Sequence, residues 1–250
     1  MIKGEIFRKK YPYDNKRKEE GRKMNEKEKN TGKKEDVREM GSVVTESDGI
    51  TLHLITIIGQ IEGHTLLPDT QKTTKYEHIL PSLVAIEEDD RADGLLVLLN
   101  TVGGDVEAGL AIAEMISGMT TPTVSLVLGG GHSIGIPIAV SCGVSFIAPS
   151  ATMTVHPVRT SGTVLGVPQA FRGLEKMQDR INRFVVGHSH VTTEKLVQLM
   201  MNTRELVTDV GTVLDGHEAV SCGLIDKLGS LSDAIAALKD AVRAKRGERA

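Results

Sequence analysis

The chain has 250 residues, 40% of them hydrophobic and 25% charged, with a formal net charge of −3, which is enough for one large domain, or two small ones, with a buried core. Its two cysteines, Cys142 and Cys222, make no disulfide framework and read as core thiols suited to a reducing compartment. No run reaches the roughly 18 apolar residues of a membrane helix, and the lysine- and arginine-rich start lacks the apolar centre of a secretory signal, so a soluble cytoplasmic protein with no transmembrane segment is expected.

Charge is uneven along the chain. Residues 1 to 40 carry fourteen Lys/Arg against nine Asp/Glu, and the stretch KRKEEGRKMNEKEKNTGKKEDVRE within them has almost no apolar residues to offset ordering entropy. A disordered charged tail over 1–48 and a folded domain over 49–250 are expected. With only 3% aromatics and its basic charge confined to the tail, the chain offers little to nucleic acid.

From about residue 50, apolar runs alternate with glycine, proline and polar clusters. ITLHLITIIG (50–59), GLLVLLN (94–100), TVSLVLG (123–129), VSFIAP (144–149) and TMTVH (152–156) read as strands, and their continuous hydrophobicity predicts burial on both faces. Helical patterns lie at YEHILPSLVAIEED, DVEAGLAIAEMISGM, SIGIPIAVSC, PQAFRGLEKMQDRINRFVVGH, TTEKLVQLMMN, GHEAVSC and SDAIAALKDAVRAK. Alternation of the two predicts an α/β fold. There is no nucleotide-binding G-x-x-x-x-G-K-[ST] loop, so any ATP-driven step would need another chain.

Chemistry could sit in three places. NTVGGDVEAG (100–109) joins a strand to a small-residue helix. Its paired glycines let the backbone approach a ligand or simply make a tight turn, and Asp105 is placed to cap the helix. In GGGHSIGIPIAV (129–140) Ser133 is either a nucleophile on a sharp turn or the N-cap of the helix that Pro137 places just after it. A nucleophile there would have the Ile134 N–H beside it to stabilise an oxyanion. In TMTVHP (152–157) His156 ends a strand and is either a general base at the sheet rim or a packed histidine. His132 precedes Ser133 and is expected to point elsewhere; His188 and His190 form a weak metal pattern without nearby carboxylate or cysteine partners.

Taken in order, a glycine loop, a serine at a turn and a histidine at a strand end are the parts of acyl transfer. Ser133 and His156 stand 23 residues apart with no acid between them, which argues against an α/β-hydrolase. The run of segments TIIGQIEG, NTVGGDVEAGLAIAEMI, GHSIG, TMTVHP and EAVSCGLID, spanning roughly residues 50 to 235, resembles the ClpP peptidase superfamily. Within it, IIGQIEGH, KTTKYEH, VLGGGHSIG and ATMTVHPVR are most similar to a branch from spore-forming bacteria that enhances protein translocation.

The resemblance implies a crotonase-like fold of stacked ββα units, Ser133 as nucleophile, His156 as base, and the N–H groups of Gly104 and Ile134 as oxyanion hole. It implies a serine endopeptidase without cofactor or metal, acting on peptides or unfolded proteins in a ring-forming homo-oligomer, with a separate ATPase or export machinery as possible partner. VRTSGTVLGVPQ (158–169) resembles the family's substrate-strand and ring-contact region. One member departs: the family's orienting aspartate falls at Gly211 in TDVGTVLDG. Asp209 is the candidate substitute and Asp215 stands behind it, though Asp215 reads equally well as a helix cap. A weak peptidase is expected, with a non-cleaving adaptor that binds preproteins, or an acyl-CoA enzyme of the same fold, as the alternatives.

Overall fold

The computed structural model describes residues 42–160, 166–204 and 210–247; the charged segment 1–41 and Asp209 lie outside the described residues. Among the described residues nine strands form one sheet whose main path runs β1 (Ser42–Ser47), β2 (Ile50–Glu62), β4 (Gly94–Gly104), β5 (Thr123–Gly131), β6 (Val144–Ile147) and β9 (Lys227–Leu228). From β2 to β9 neighbours are parallel. β3 (Thr73–Lys75) adds to the end of β2, and β7 (Thr152–Val155) leaves β5 at Gly130 to pair antiparallel with β8 (Thr212–Asp215).

The helices among the described residues are α1 (Tyr76–Glu87), α2 (Val106–Ser117), α3 (Gly135–Val140), α4 (Pro168–Gly187), α5 (Thr193–Met200), α6 (Gly216–Ser221) and α7 (Leu231–Arg246). Each expected helix is present within two residues of its pattern.

The two-sided burial read from the strands holds for β2, β4, β5 and β6, on two distinct cores, whereas β7 alternates, with Met153 and Val155 buried and Thr152 and Thr154 half-buried. On β4, Leu95, Val97 and Leu99 face a large cluster with residues of α1 to α6, whereas Leu96 faces a smaller one closed by Ala234, Leu238 and Val242 of α7. Alternate side chains of a strand point to opposite faces, so α7 covers the sheet on the side away from the larger core. Cys142 is buried as expected, and burial pushes its thiol up to about 12, which leaves it un-ionised. No helix among the described residues is long and apolar enough to cross a membrane.

The expected boundary after residue 48 cuts through a hairpin. β1 pairs antiparallel with β2 from Ser47↔Ile50 to Ser42↔Ile55, and the turn residues Asp48 and Gly49 have φ of 56° and 70°, the pair of positive angles that an Asp-Gly type I′ turn requires. Side chains from Val44 to Ser47 are exposed, so the strand is held by its backbone and carries no hydrophobic period to read.

Between Leu99↔Val127 and Thr101↔Gly131 the pairing of β4 with β5 shifts register, β5 advancing four residues for two of β4. This bulge is pinned by Gly130 N–H donating to Asn100 Oδ1 at 3.1 Å, and Gly129 turns within it at φ 73°. It swings the end of β5 away from β6 and against β7.

Candidate active site

The swing brings three loops together at the end of the parallel strands. β4 closes with Gly103 at φ 88°; a Cβ there would stand 2.7 Å from Ser133 Cβ and 2.9 Å from His132 O, so only glycine lets this turn approach the serine. At Gly104 a Cβ would overlap the Ile61 carbonyl oxygen. The ladder bond to Ile61 O comes from Asp105 N–H at 3.0 Å. Gly104's own N–H therefore points away from β2. Asp105 caps α2 as expected, its Oδ1 accepting from Ala108 N–H at 2.8 Å.

Of the two readings of Ser133, the structure adopts a strained turn and not the helix cap. The residue before α3 is Ile134, with no side-chain cap bond, and Ser133 sits one position earlier at φ 57°. That left-handed conformation costs an L-residue about 1–2 kcal/mol. The strain is held by Gly135 N–H to His132 O at 2.9 Å, Ile136 N–H to Ser133 O at 3.0 Å, and Ser133 N–H to Thr154 O at 2.9 Å. The last bond ties the serine to β7, two residues before His156. Pro137 falls in the first turn of α3, where its missing N–H leaves no helix bond broken.

His156 leaves the end of β7 half-buried. Its Nδ1 lies 2.6 Å from the carbonyl oxygen of Pro157, and a carbonyl only accepts, so Nδ1 carries the proton and Nε2 is left as the basic nitrogen. Gly211 lies against the Val155 carbonyl and the Cα and Cβ of His156. β8 runs antiparallel to β7 with Val155 opposite Thr212, and a Cβ on Gly211 would overlap Val155 O and reach within 2.9 Å of His156 Cβ.

Asp215 is three residues farther along that ladder, opposite Thr152. It forms a capping box with Glu218, accepting from Glu218 N–H at 2.8 Å while its own N–H donates to Glu218 Oε2 at 2.9 Å, so of its two readings the cap is the one realised. His132 does turn elsewhere: its Nδ1 is 2.8 Å from Thr154 Oγ1, and burial, with the neighbouring His156 second, holds its ring below the ordinary histidine value.

Ser133, His156, Gly104 and Ile134 line one cavity of about 160 Å³. Its walls are mainly apolar, from Ile136, Pro137, Val155, Ile181, Val185, Leu196 and Met200, with Gln178 and Asn182 of α4 and Arg159 as polar members. Among the described residues nothing hydrogen-bonds Ser133 Oγ or Ile134 N–H. Sequence reading missed the Pro157 carbonyl and Gln178, since a main-chain acceptor has no letter of its own.

A strained serine, an imidazole with Nδ1 protonated and a glycine loop thus lie together at the end of a parallel sheet. The Clp protease family model matches residues 52–231, and the chain belongs to that family. It is 54% identical to the translocation-enhancing protein TepA of Halalkalibacterium halodurans over 209 residues, 83% of this chain and 82% of that one. It is 26% identical to the ATP-dependent Clp protease proteolytic subunit 1 of Protochlamydia amoebophila, over 65% of this chain and 78% of that one. The fold is similar to that of a ClpP1 point mutant from Listeria monocytogenes, with a TM-score of 0.56 and 20% identity over 73% of this chain and 94% of that chain.

Proposed function

We propose that this protein is a slow serine endopeptidase acting on peptides or unfolded proteins, with a role in preprotein translocation. Ser133 Oγ attacks the peptide carbonyl while its proton passes to His156 Nε2. The N–H groups of Gly104 and Ile134 hold the oxyanion, the imidazolium protonates the leaving amine, and water hydrolyses the acyl-enzyme by the same steps in reverse order. The observation that carries the reading is that Ser133, strained at φ 57° instead of capping its helix, lines the same cavity as His156. The likeness to TepA supports the translocation role, and family membership supports a homo-oligomeric ring, an outside ATPase or export machinery as partner, and a cytoplasmic setting.

The rate is low because a neutral carbonyl replaces the orienting carboxylate. In a serine triad, loss of that carboxylate reduces turnover by about 10⁴. Asp209 remains the acid nearest in sequence to the vacated position. With Nδ1 already bonded to Pro157 O, Asp209→Asn changes peptide hydrolysis less than tenfold; a loss near 10⁴ would make Asp209 the missing triad member.

A fluorophosphonate probe tests the proposal directly. It should label the assembled protein at Ser133, and Ser133→Ala should abolish both labelling and peptide cleavage. Absence of labelling, with Ser133→Ala indistinguishable from the parent, rejects it. Gly211 against His156 favours a second reading, an adaptor that binds preproteins without cutting them. Under that reading Ser133→Ala still supports secretion in a complementation assay.

A further inference from the structure

The bond from His156 to Pro157 O draws in a second residue. The Pro157 carbonyl and the Val158 N–H belong to one planar peptide group. The carbonyl accepts a hydrogen bond from Nδ1–H at 2.6 Å, and the Val158 N–H donates to Gln178 Oε1 at 2.7 Å. Gln178 Nε2 in turn donates to Asn182 Oδ1 at 2.9 Å, one turn farther along α4. The three bonds form a single line from the imidazole through a peptide unit to the helix. Each has one allowed polarity, because Val158 N–H needs an oxygen and so fixes which way the Gln178 amide faces.

We infer that Gln178 is a positioning residue for the His156 base, acting through the Pro157–Val158 peptide that stands where the orienting carboxylate is missing. This rests on the peptidase reading above. Two physical effects combine. Gln178 fixes the plane of the peptide, so the carbonyl stays aimed at Nδ1 and the ring keeps Nε2 turned to the cavity. An acceptor on the N–H also draws charge through the peptide onto its oxygen, which makes that carbonyl a better acceptor for the imidazolium formed during attack, as in any polarised hydrogen-bond chain. Gly211, against the ring's Cβ, offers no side chain that could do either.

Gln178 lies ten positions inside α4, which is anchored to α2 by the paired contacts of Arg180 with Glu107 at 2.7 and 3.0 Å. The orienting group is thereby referred to the same helix that follows the glycine loop.

The test uses the full chain and saturation kinetics of fluorophosphonate inactivation, which separate probe binding from the rate of Ser133 attack. Gln178→Leu removes the acceptor at similar volume, and is expected to lower the maximal inactivation rate by about 10–100-fold while half-saturation moves less than about twofold. Gln178→Glu keeps an acceptor for Val158 N–H and restores most of the rate. A purely structural role would loosen the 157–160 segment, which borders the cavity, and raise half-saturation in both variants alike.

Where Gln178→Leu lowers the melting temperature, Gln178→Met gives the same comparison with an unbranched chain. A parent protein that is labelled at Ser133, with Gln178→Leu and Gln178→Met reacting at its rate, overturns the inference and leaves the peptidase reading standing. A parent that is never labelled takes down both.

Discussion

Under the peptidase reading Gly211 holds the place of the family's orienting acid, and the backbone leaves no room there for a side chain. At φ 143°, with Val155 O overlapping any Cβ and His156 Cβ at 2.9 Å, the position has no room for a side chain. Gly211→Asp is expected to destabilise the fold by about 2 kcal/mol or more and to leave peptide cleavage no faster; a gain of activity in the purified variant would refute this geometry. Ser133 makes the opposite case, a side chain kept where glycine would be easier. Ser133→Gly should be about 1 kcal/mol more stable than Ser133→Ala, read as a difference in denaturant midpoint, with both variants inert to fluorophosphonate. Equal midpoints would mean the turn is unstrained.

α1 ends in a clamp that shows how acid sensitivity is built in. The Glu87 carboxylate accepts Thr120 N–H at 2.8 Å and Oγ1–H at 2.7 Å on one oxygen, and Thr121 N–H at 3.1 Å and Oγ1–H at 2.9 Å on the other. Burial alone would raise this carboxyl, but the four bonds outweigh it and hold it at about 2. A carboxyl depressed on folding adds stability above its unfolded value and loses it as pH falls toward the folded one. Glu87→Ala should therefore lower stability by about 1 kcal/mol at pH 7. The difference from the parent should shrink between pH 4.5 and 2; a gap that persists at low pH would mean the loss is packing and not charge.

The same level of structure explains what could be read from the letters. β2, β4 and β5 were legible because two cores bury both their faces, and the glycine loop, Ser133 and His156 because each needs an unusual residue at a fixed place. β1 was not, since its exposed side chains leave only a backbone ladder, although Asp48-Gly49 was a turn signal in plain sight. The two-residue bulge in β5 was likewise unreadable, because register is a property of two strands and appears in neither alone.

Across the molecule the two cores divide the labour. Ile134, Ile136, Val155, Val185, Leu196 and Met200 belong to the larger core and also bound the cavity, while α7 packs on the other face of the sheet. Leu238, fully buried there with its Cδ1 3.0 Å from where a Gly94 Cβ would be, is a site whose loss should be felt globally. Leu238→Ala is expected to remove about 2–5 kcal/mol of stability and leave the rate of Ser133 modification unchanged well below the melting temperature. A matching fall in that rate would show the two faces to be coupled.

Under the peptidase reading the group that orients His156 is main chain, and that has a peculiar inheritance. No codon specifies the Pro157 carbonyl, so no alanine scan would ever flag it, and a survey of variants would score this centre as a two-member dyad. Nor can that oxygen take up a proton in acid as an aspartate would. A substitution elsewhere can misalign such an oxygen but cannot delete it.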